Sequence, residues 1–269
     1  MMPARSPGRP TLQRVDNDAP AASPRPPLGE ILPIGREDVR RIRRRHRGYR
    51  VLLLTICTVL LIQPLAFQLP IISPVVAIVM ALVMMLFLTR YSPLLARKRL
   101  FYGFGIAAIV SEIGWLAILI TDTPLAQHLA ILHLLVWGLF IGTFLLRIAK
   151  ALILEPYVTL AVLMGAAAGY LLIGYLGAFL LHTLLLWQPQ AFNASLVAPN
   201  FDPRLHPLRV FPAMVVAAFQ ALTTTGVSLA KPGELLPATG CLAITVAGQL
   251  YLAVLIALVL GRFHRRLPF

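Results

Sequence analysis

Six stretches of this chain, at about 51–69, 71–89, 101–121, 125–147, 158–187 and 238–261, are long and apolar enough to cross roughly 30 Å of hydrocarbon. Such runs restrict the backbone to helix or closed barrel, because lipid offers no partner for an open N–H or C=O group. A seventh apolar run lies in "VFPAMVVAAFQALTTTG", Val210 to Gly226, and has only about 13 apolar residues. It is too short to cross and suits a re-entrant helix, one that enters and leaves by the same face. Composition agrees, since 58% hydrophobic residues and a mean hydropathy of +0.81 lie well above soluble averages. The expected fold class is an all-α, multi-pass integral membrane protein of the inner or plasma membrane, with six transmembrane helices and a re-entrant segment before the last.

Charge fixes the expected topology. The chain carries 24 Lys+Arg against 10 Asp+Glu, and the first 50 residues, which lie outside any span, hold half of those cations. A nucleic-acid-binding domain is therefore not expected. With the N-terminus in the cytoplasm, Arg90, Arg97, Lys98, Arg99, Arg147, Lys150, Arg262, Arg265 and Arg266 fall on the same side, and only Arg204, Arg209 and Lys231 fall outside. The positive-inside rule then places both termini in the cytoplasm. Residues 1–35, rich in Pro, Ala, Arg and Ser, read as a flexible tail. The first apolar run begins near residue 51, too late for a cleavable signal. "REDVRRIRRRHRGYR" (Arg36 to Arg50) is basic on every face, and Arg40 to Arg50 are expected to touch anionic lipid headgroups. Cys57 and Cys241 each stand alone in an apolar segment, which supports neither a disulfide framework nor a metal site. No nucleophile–base pair is spaced for catalysis, so an enzyme is not expected.

Polar residues inside apolar surroundings mark what the spans are for. "FQALTTTGVSLAKPGELLP", Phe219 to Pro237, places three threonines, a glycine and a serine directly before the last span. Taken alone, that pattern fits either a capped loop between two helices or the lining of a polar path. In context, "FQALTTTGVSL" resembles the filter signature of the potassium-channel-like, pore-loop family, in which a pore helix leads into T-T-V-G-Y-G-D. "AGQLYLAVLIALVLGRF" (Ala247 to Phe263) is similar to the inner helix of bacterial members, and "MGAAAGYLLIGYLGAFLLHTLL" to their outer helix.

The resemblance covers about residues 157–263 and implies a homotetramer of pore-loop architecture, because one chain supplies one filter segment. It divides the chain into a basic tail (1–50), a four-helix peripheral domain (51–150) and a pore domain with outer helix, pore helix, filter and inner helix (151–269). In that family, backbone carbonyls from four loops replace the water shell of the ion. Carried over, Thr223 and Thr224 match the two threonines and Gly226 the first glycine. Thr225 replaces valine, Val227 replaces tyrosine, Ser228 replaces the second glycine and Leu229 the aspartate. A side chain at the second glycine relaxes the outer half of the filter, and Leu229 removes a carboxylate from the mouth. The expectation is a cation channel of relaxed or altered selectivity, permeated by potassium or sodium and needing no other cofactor. A non-conducting or regulatory subunit would keep the same fold. A secondary transporter would need paired interrupted helices in two halves of a repeat, which the sequence lacks.

Four further features bear on this expectation. Gly165 to Gly169 ("GAAAG"), with Gly174 and Gly177, give the fifth span a small-residue face for close helix packing. Gly248 resembles a gating hinge, although glycine is common in membrane helices. The fourth span has Arg147 only at its cytoplasmic end, so strong voltage gating is not expected, and with eight residues after Gly261 neither is a cytoplasmic ligand domain. Glu112 sits mid-span, where ionisable groups are costly, and His133 lies at matching depth as its candidate partner. The pair can brace the bundle or sense protons. Residues 187–211 read as an outer turret loop, and His182 as an interfacial residue rather than a metal ligand.

Overall fold

The computed structural model describes residues 36–91, 98–119, 126–155, 159–193, 207–226, 229–231 and 233–264. The tail 1–35 and filter positions Val227 and Ser228 lie outside the described residues. Among the described residues seven helices of 16 residues or more follow in order: α1 (Arg36–Gln68), α2 (Ile72–Tyr91), α3 (Lys98–Leu119), α4 (Ala126–Ile153), α5 (Leu160–Trp187), α6 (Pro207–Leu222) and α7 (Leu235–His264). One turn of tighter helix, Pro189–Ala191, follows α5, and among the described residues the sole extended pairing is an isolated antiparallel bridge from Phe192 to Ala230.

Five of these helices are long and apolar enough to cross a membrane: His46–Gln68, Leu100–Ile118, His128–Ile153, Leu160–Trp187 and Leu235–Leu258. They are compatible with a multi-pass membrane protein. The expected second crossing falls on α2, a helix of 20 residues whose apolar part, Ile72–Phe87, is shorter. The basic segment before the first span is not a separate piece. It is the start of α1, whose 33 residues extend about 50 Å at 1.5 Å per residue, well beyond the hydrocarbon thickness. Pro64 lies inside α1 and removes one backbone donor, while Gln63 sends its amide to the Val59 carbonyl at 3.1 Å.

α1 through α5 form a closed ring in which each helix packs on the next and α5 returns to α1. α5 thereby sits against both ends of the first four helices, and it also carries α6 and α7. Its small residues explain how one helix holds so many neighbours. Lipid tails are as apolar as leucine, so helices in a membrane gain mainly by close van der Waals fit. The Gly165 face receives the Tyr49 ring, Gly169 the Tyr251 phenol, Gly174 the Phe219 ring and Gly177 the Ile244 side chain. A Cβ at Gly174 would stand 2.7 Å from Phe219 Cζ, and one at Gly177 would stand 2.8 Å from Ile244 Cδ1. Each glycine is therefore a socket for a large side chain of another helix. Trp137 of α4 stacks on Phe179 of α5 at 5.7 Å and continues into Phe140, Phe101 and Phe144. Arg147, near the C-terminal end of α4, lies over the Phe101 ring.

The joint between α4 and α5, where the sequence puts a domain boundary, is held from α1. Glu155 is buried and lies 3.7 Å from His46 Nε2, and Thr159, which caps α5 by accepting from the Val162 N–H, approaches the same nitrogen. α7 is the opposite case. It packs chiefly on α5, α6 and the Pro189–Ala191 turn, and 11% of its span is buried against 61% for α5. Leu235, Leu242, Val246, Leu250, Val254 and Ile256 leave it with a bare apolar face.

Candidate functional site

α6 descends beside α5 in the opposite direction. Its Phe211 lies 4.6 Å from Phe179 and 6.3 Å from His182, near the C-terminal end of α5. Eight residues on, Phe219 meets Tyr175 at 5.6 Å, and Leu222 at the helix end accepts a hydrogen bond from the Tyr170 hydroxyl. From His182 to Tyr170 is about 18 Å along α5. By Leu229 the chain is back beyond the end of α5: the Asn193 N–H donates to the Leu229 carbonyl at 2.8 Å, Ala230 bridges Phe192, and the Lys231 N–H donates to the Ala191 carbonyl. α6 therefore enters and leaves by the same end of α5.

A helix that stops partway along its neighbour leaves its last four carbonyls without helical partners, and buried acceptors are costly to leave empty. Here each one is answered. The Phe219 carbonyl accepts from the Thr223 N–H and hydroxyl at 2.9 and 2.8 Å, and the Gln220 carbonyl from the Thr225 N–H at 3.0 Å. The Ala221 carbonyl accepts from the Thr224 N–H at 3.1 Å and from the Thr245 hydroxyl of α7 at 2.7 Å. The Leu222 carbonyl takes the Tyr170 hydroxyl of α5 at 3.2 Å. The end of α6 is thus tied to both helices that flank it.

The TTTG residues form an exposed turn below that end. Thr224 sits in the left-handed region, φ 59°, an uncommon backbone for a β-branched residue and the one that often terminates helices. Thr223 and Thr225 share a hydrogen bond between hydroxyls at 2.8 Å, and the Thr224 hydroxyl donates to the Thr223 carbonyl at 2.6 Å. Gly226 packs on the α6 backbone, where a Cβ would stand 2.6 Å from Gln220 Cβ and 3.0 Å from its carbonyl carbon. Leu229 is 4% exposed, so the residue in the aspartate position faces the core and not solvent. Gly248 lies level with the end of α6. α7 runs unbroken through it, and a Cβ there would run into Leu222 Cδ1 and approach the Tyr170 ring. Gly248 therefore admits the end of α6, a packing duty additional to any bending.

Glu112 and His133 meet, with Glu112 Oε2 lying 3.3 Å from His133 Nε2. Ser111 defines the proton between them. Its hydroxyl proton goes to the Ala108 carbonyl at 2.8 Å, leaving the oxygen to accept from His133 Nδ1 at 3.2 Å. With Nδ1 protonated, the Nε2–Oε2 contact contains a single shared proton, carried either as carboxyl and neutral imidazole or as carboxylate and imidazolium. Trp115 stacks on the imidazole at 6.2 Å and Trp137 meets it edge-on at 6.5 Å. Both ionisable side chains are buried. His182, read from sequence as interfacial, is also buried. Among the described residues no group of three His, Cys, Asp or Glu side chains is placed to hold a metal ion.

Sequence reasoning missed the two clamps on α6, Tyr170 and Thr245. Their signal was available only as hydroxyls inside apolar spans, and their carbonyl partners lie 52 and 24 residues away. No family model, no curated protein and no solved structure matches this chain.

Proposed function

We propose that the chain is one subunit of a homotetrameric pore-loop ion channel conducting monovalent cations, potassium or sodium, with selectivity relaxed or altered by the residues at Thr225, Val227, Ser228 and Leu229. The observation that carries this reading is the end of α6: a helix that stops partway down α5, has its last carbonyls tied to α5 and α7, and presents an exposed turn of hydroxyls. The carboxyl end of a helix carries partial negative charge, equivalent to roughly half an electron, which favours cations over anions nearby. Four such ends around an axis would form a cation-selective constriction. In this reading α2 completes a set of six crossings, and the bare face of α7 is turned to the axis and to neighbouring subunits. α4 contains one arginine, held over an aromatic ring at its cytoplasmic end, which supports weak or absent voltage gating.

A second reading, a non-conducting or regulatory subunit of the same fold, draws on one observation: the hydroxyls of Thr223 and Thr224 are engaged with backbone carbonyls and a neighbour. One experiment separates the two. Purified protein in liposomes is assayed for flux under potassium, sodium and chloride gradients, beside Gly226→Asp, whose side chain cannot pack on Gln220. Cation flux lost in the variant is expected. A folded tetramer that passes no ion would transfer the assignment to the non-conducting subunit.

A further inference from the structure

A small, partly open chamber with mostly apolar walls and four polar side chains lies between five helices. Its volume is about 40 Å³, and its walls include Ser73 of α2, Glu112 of α3, His133 of α4, His182 of α5 and Phe211 of α6. A water molecule needs only ~10–15 Å³ of such space, together with two to four polar partners. The walls supply them. His182 Nδ1 is buried and makes no hydrogen bond to any described protein atom. Glu112 has acceptor capacity beyond its contact with His133. A buried ring nitrogen left without a partner is costly, whereas an ordered water in the adjoining space would satisfy it.

We propose that this chamber is a hydrated proton-binding site, in which one or two ordered waters join His182 to the proton shared by Glu112 and His133. Water and the proton are its ligands, and the site does not depend on whether the chain conducts. Among the described residues, the titratable groups facing it are Glu112 from α3, His133 from α4 and His182 from α5. α2 contributes Ser73 and Pro74, and α6 contributes Leu208 and Phe211. Arg209, the next residue on α6, turns toward Phe67 of α1 at 6.0 Å. The chamber joins α2, α3, α4 and α5 to the start of α6, so a proton gained or lost there changes the charge against which Phe211 and Leu208 are seated.

Nature has placed a reporter in the site. Two of the three tryptophans, Trp115 and Trp137, contact the His133 ring, and an imidazolium in contact with an indole quenches its emission. The full chain carrying Trp187→Phe, in lipid nanodiscs, is titrated from acid to alkaline pH while emission is recorded. A sigmoidal step is expected that disappears in His133→Gln. Glu112→Gln removes the anion that favours the imidazolium, so the midpoint moves to lower pH by at least about one unit, a tenfold change in proton affinity. His182→Asn also displaces the midpoint, because the waters couple the two histidines. A flat titration, or a step that survives His133→Gln, overturns the proposal. Histidine-labelled wild-type protein supplies a test that no misfolded variant can confuse: magnetisation transfer from water to His182 in bilayers is expected by solid-state NMR, and its absence removes the hydrated chamber.

Discussion

Tyr170→Phe and Thr245→Val are both near-isosteric losses of one hydroxyl, yet the structure ranks their effects unequally. Tyr170 is the donor to the Leu222 carbonyl at 3.2 Å, and no second donor reaches that oxygen among the described residues. The Ala221 carbonyl loses Thr245 but keeps the Thr224 N–H at 3.1 Å, and the Thr245 hydroxyl is itself shared with the Cys241 carbonyl. Leaving a buried acceptor empty costs about 1–3 kcal/mol, while hydrogen bonds between membrane helices average about 0.6 kcal/mol with a maximum near 1.7. Tyr170→Phe is therefore expected to cost about 1–2 kcal/mol, and Thr245→Val about 0.5 kcal/mol. The assay is equilibrium unfolding of the purified chain in mixed micelles at rising SDS fraction, read by tryptophan emission. Because the two hydroxyls answer adjacent carbonyls of one helix end, the double variant tests their coupling as well. Equal costs, or a larger cost for Thr245→Val, would refute the view that unsatisfied carbonyls determine where α6 stops.

Three further outcomes follow from packing and backbone geometry. Gly174→Leu is expected to abolish recovery of folded protein, since even its Cβ falls 2.7 Å from Phe219, and Phe219→Ala on the same background is expected to restore part of it, measured by detergent-resistant size exclusion. Thr224→Gly relieves a left-handed backbone at φ 59° and is expected to raise stability by roughly 1 kcal/mol in the SDS assay, whereas a loss would show that the hydroxyl bond to Thr223 outweighs the strain. Phe192→Cys with Ala230→Cys, on a background lacking Cys57 and Cys241, is expected to form a disulfide under mild oxidant, because bridge partners place their Cα atoms about 4.5–5.5 Å apart. Failure to cross-link in folded protein would mean that the chain does not return to the end of α5 after the TTTG turn.

Much of the helix plan was readable because hydropathy over about 20 residues is a local property. The runs at 101–121, 125–147 and 158–187 fall on α3, α4 and α5 with small shifts at their ends. α1 runs farther toward the N-terminus than its apolar run, because "REDVRRIRRRHRGYR" has no proline and its single glycine, Gly48, weakens a helix without ending it. The small-residue face of α5 was legible as a contact surface, but not the identity of its guests. Tyr49, Tyr251 and Phe219 come from three helices distant in sequence, and only the assembled ring of helices brings them to Gly165, Gly169 and Gly174. Glu112 and His133 could be paired on depth alone because α3 and α4 are neighbours in sequence and antiparallel. The place of His182 at the same chamber could not, since it depends on α5 closing the ring between α4 and α1. Leu229 shows a different limit: a substitution read as a lost charge at a mouth is, in the fold, a gained core side chain.

The clamps on α6 also impose an order on biosynthesis. When Leu222 is joined to the chain, Tyr170, which donates to its carbonyl in the fold, has already been made, but Thr245 is 23 residues from being made. The surfaces of α7 that cover α6, at Gly248 and Thr245, come later still than the TTTG turn. α6 thus spends a defined interval of translation with only one of its two clamps, and its docking completes when α7 is inserted. A nascent chain arrested between these points holds an amphipathic helix against α5, α1 and α2 while the Thr245 clamp is still missing.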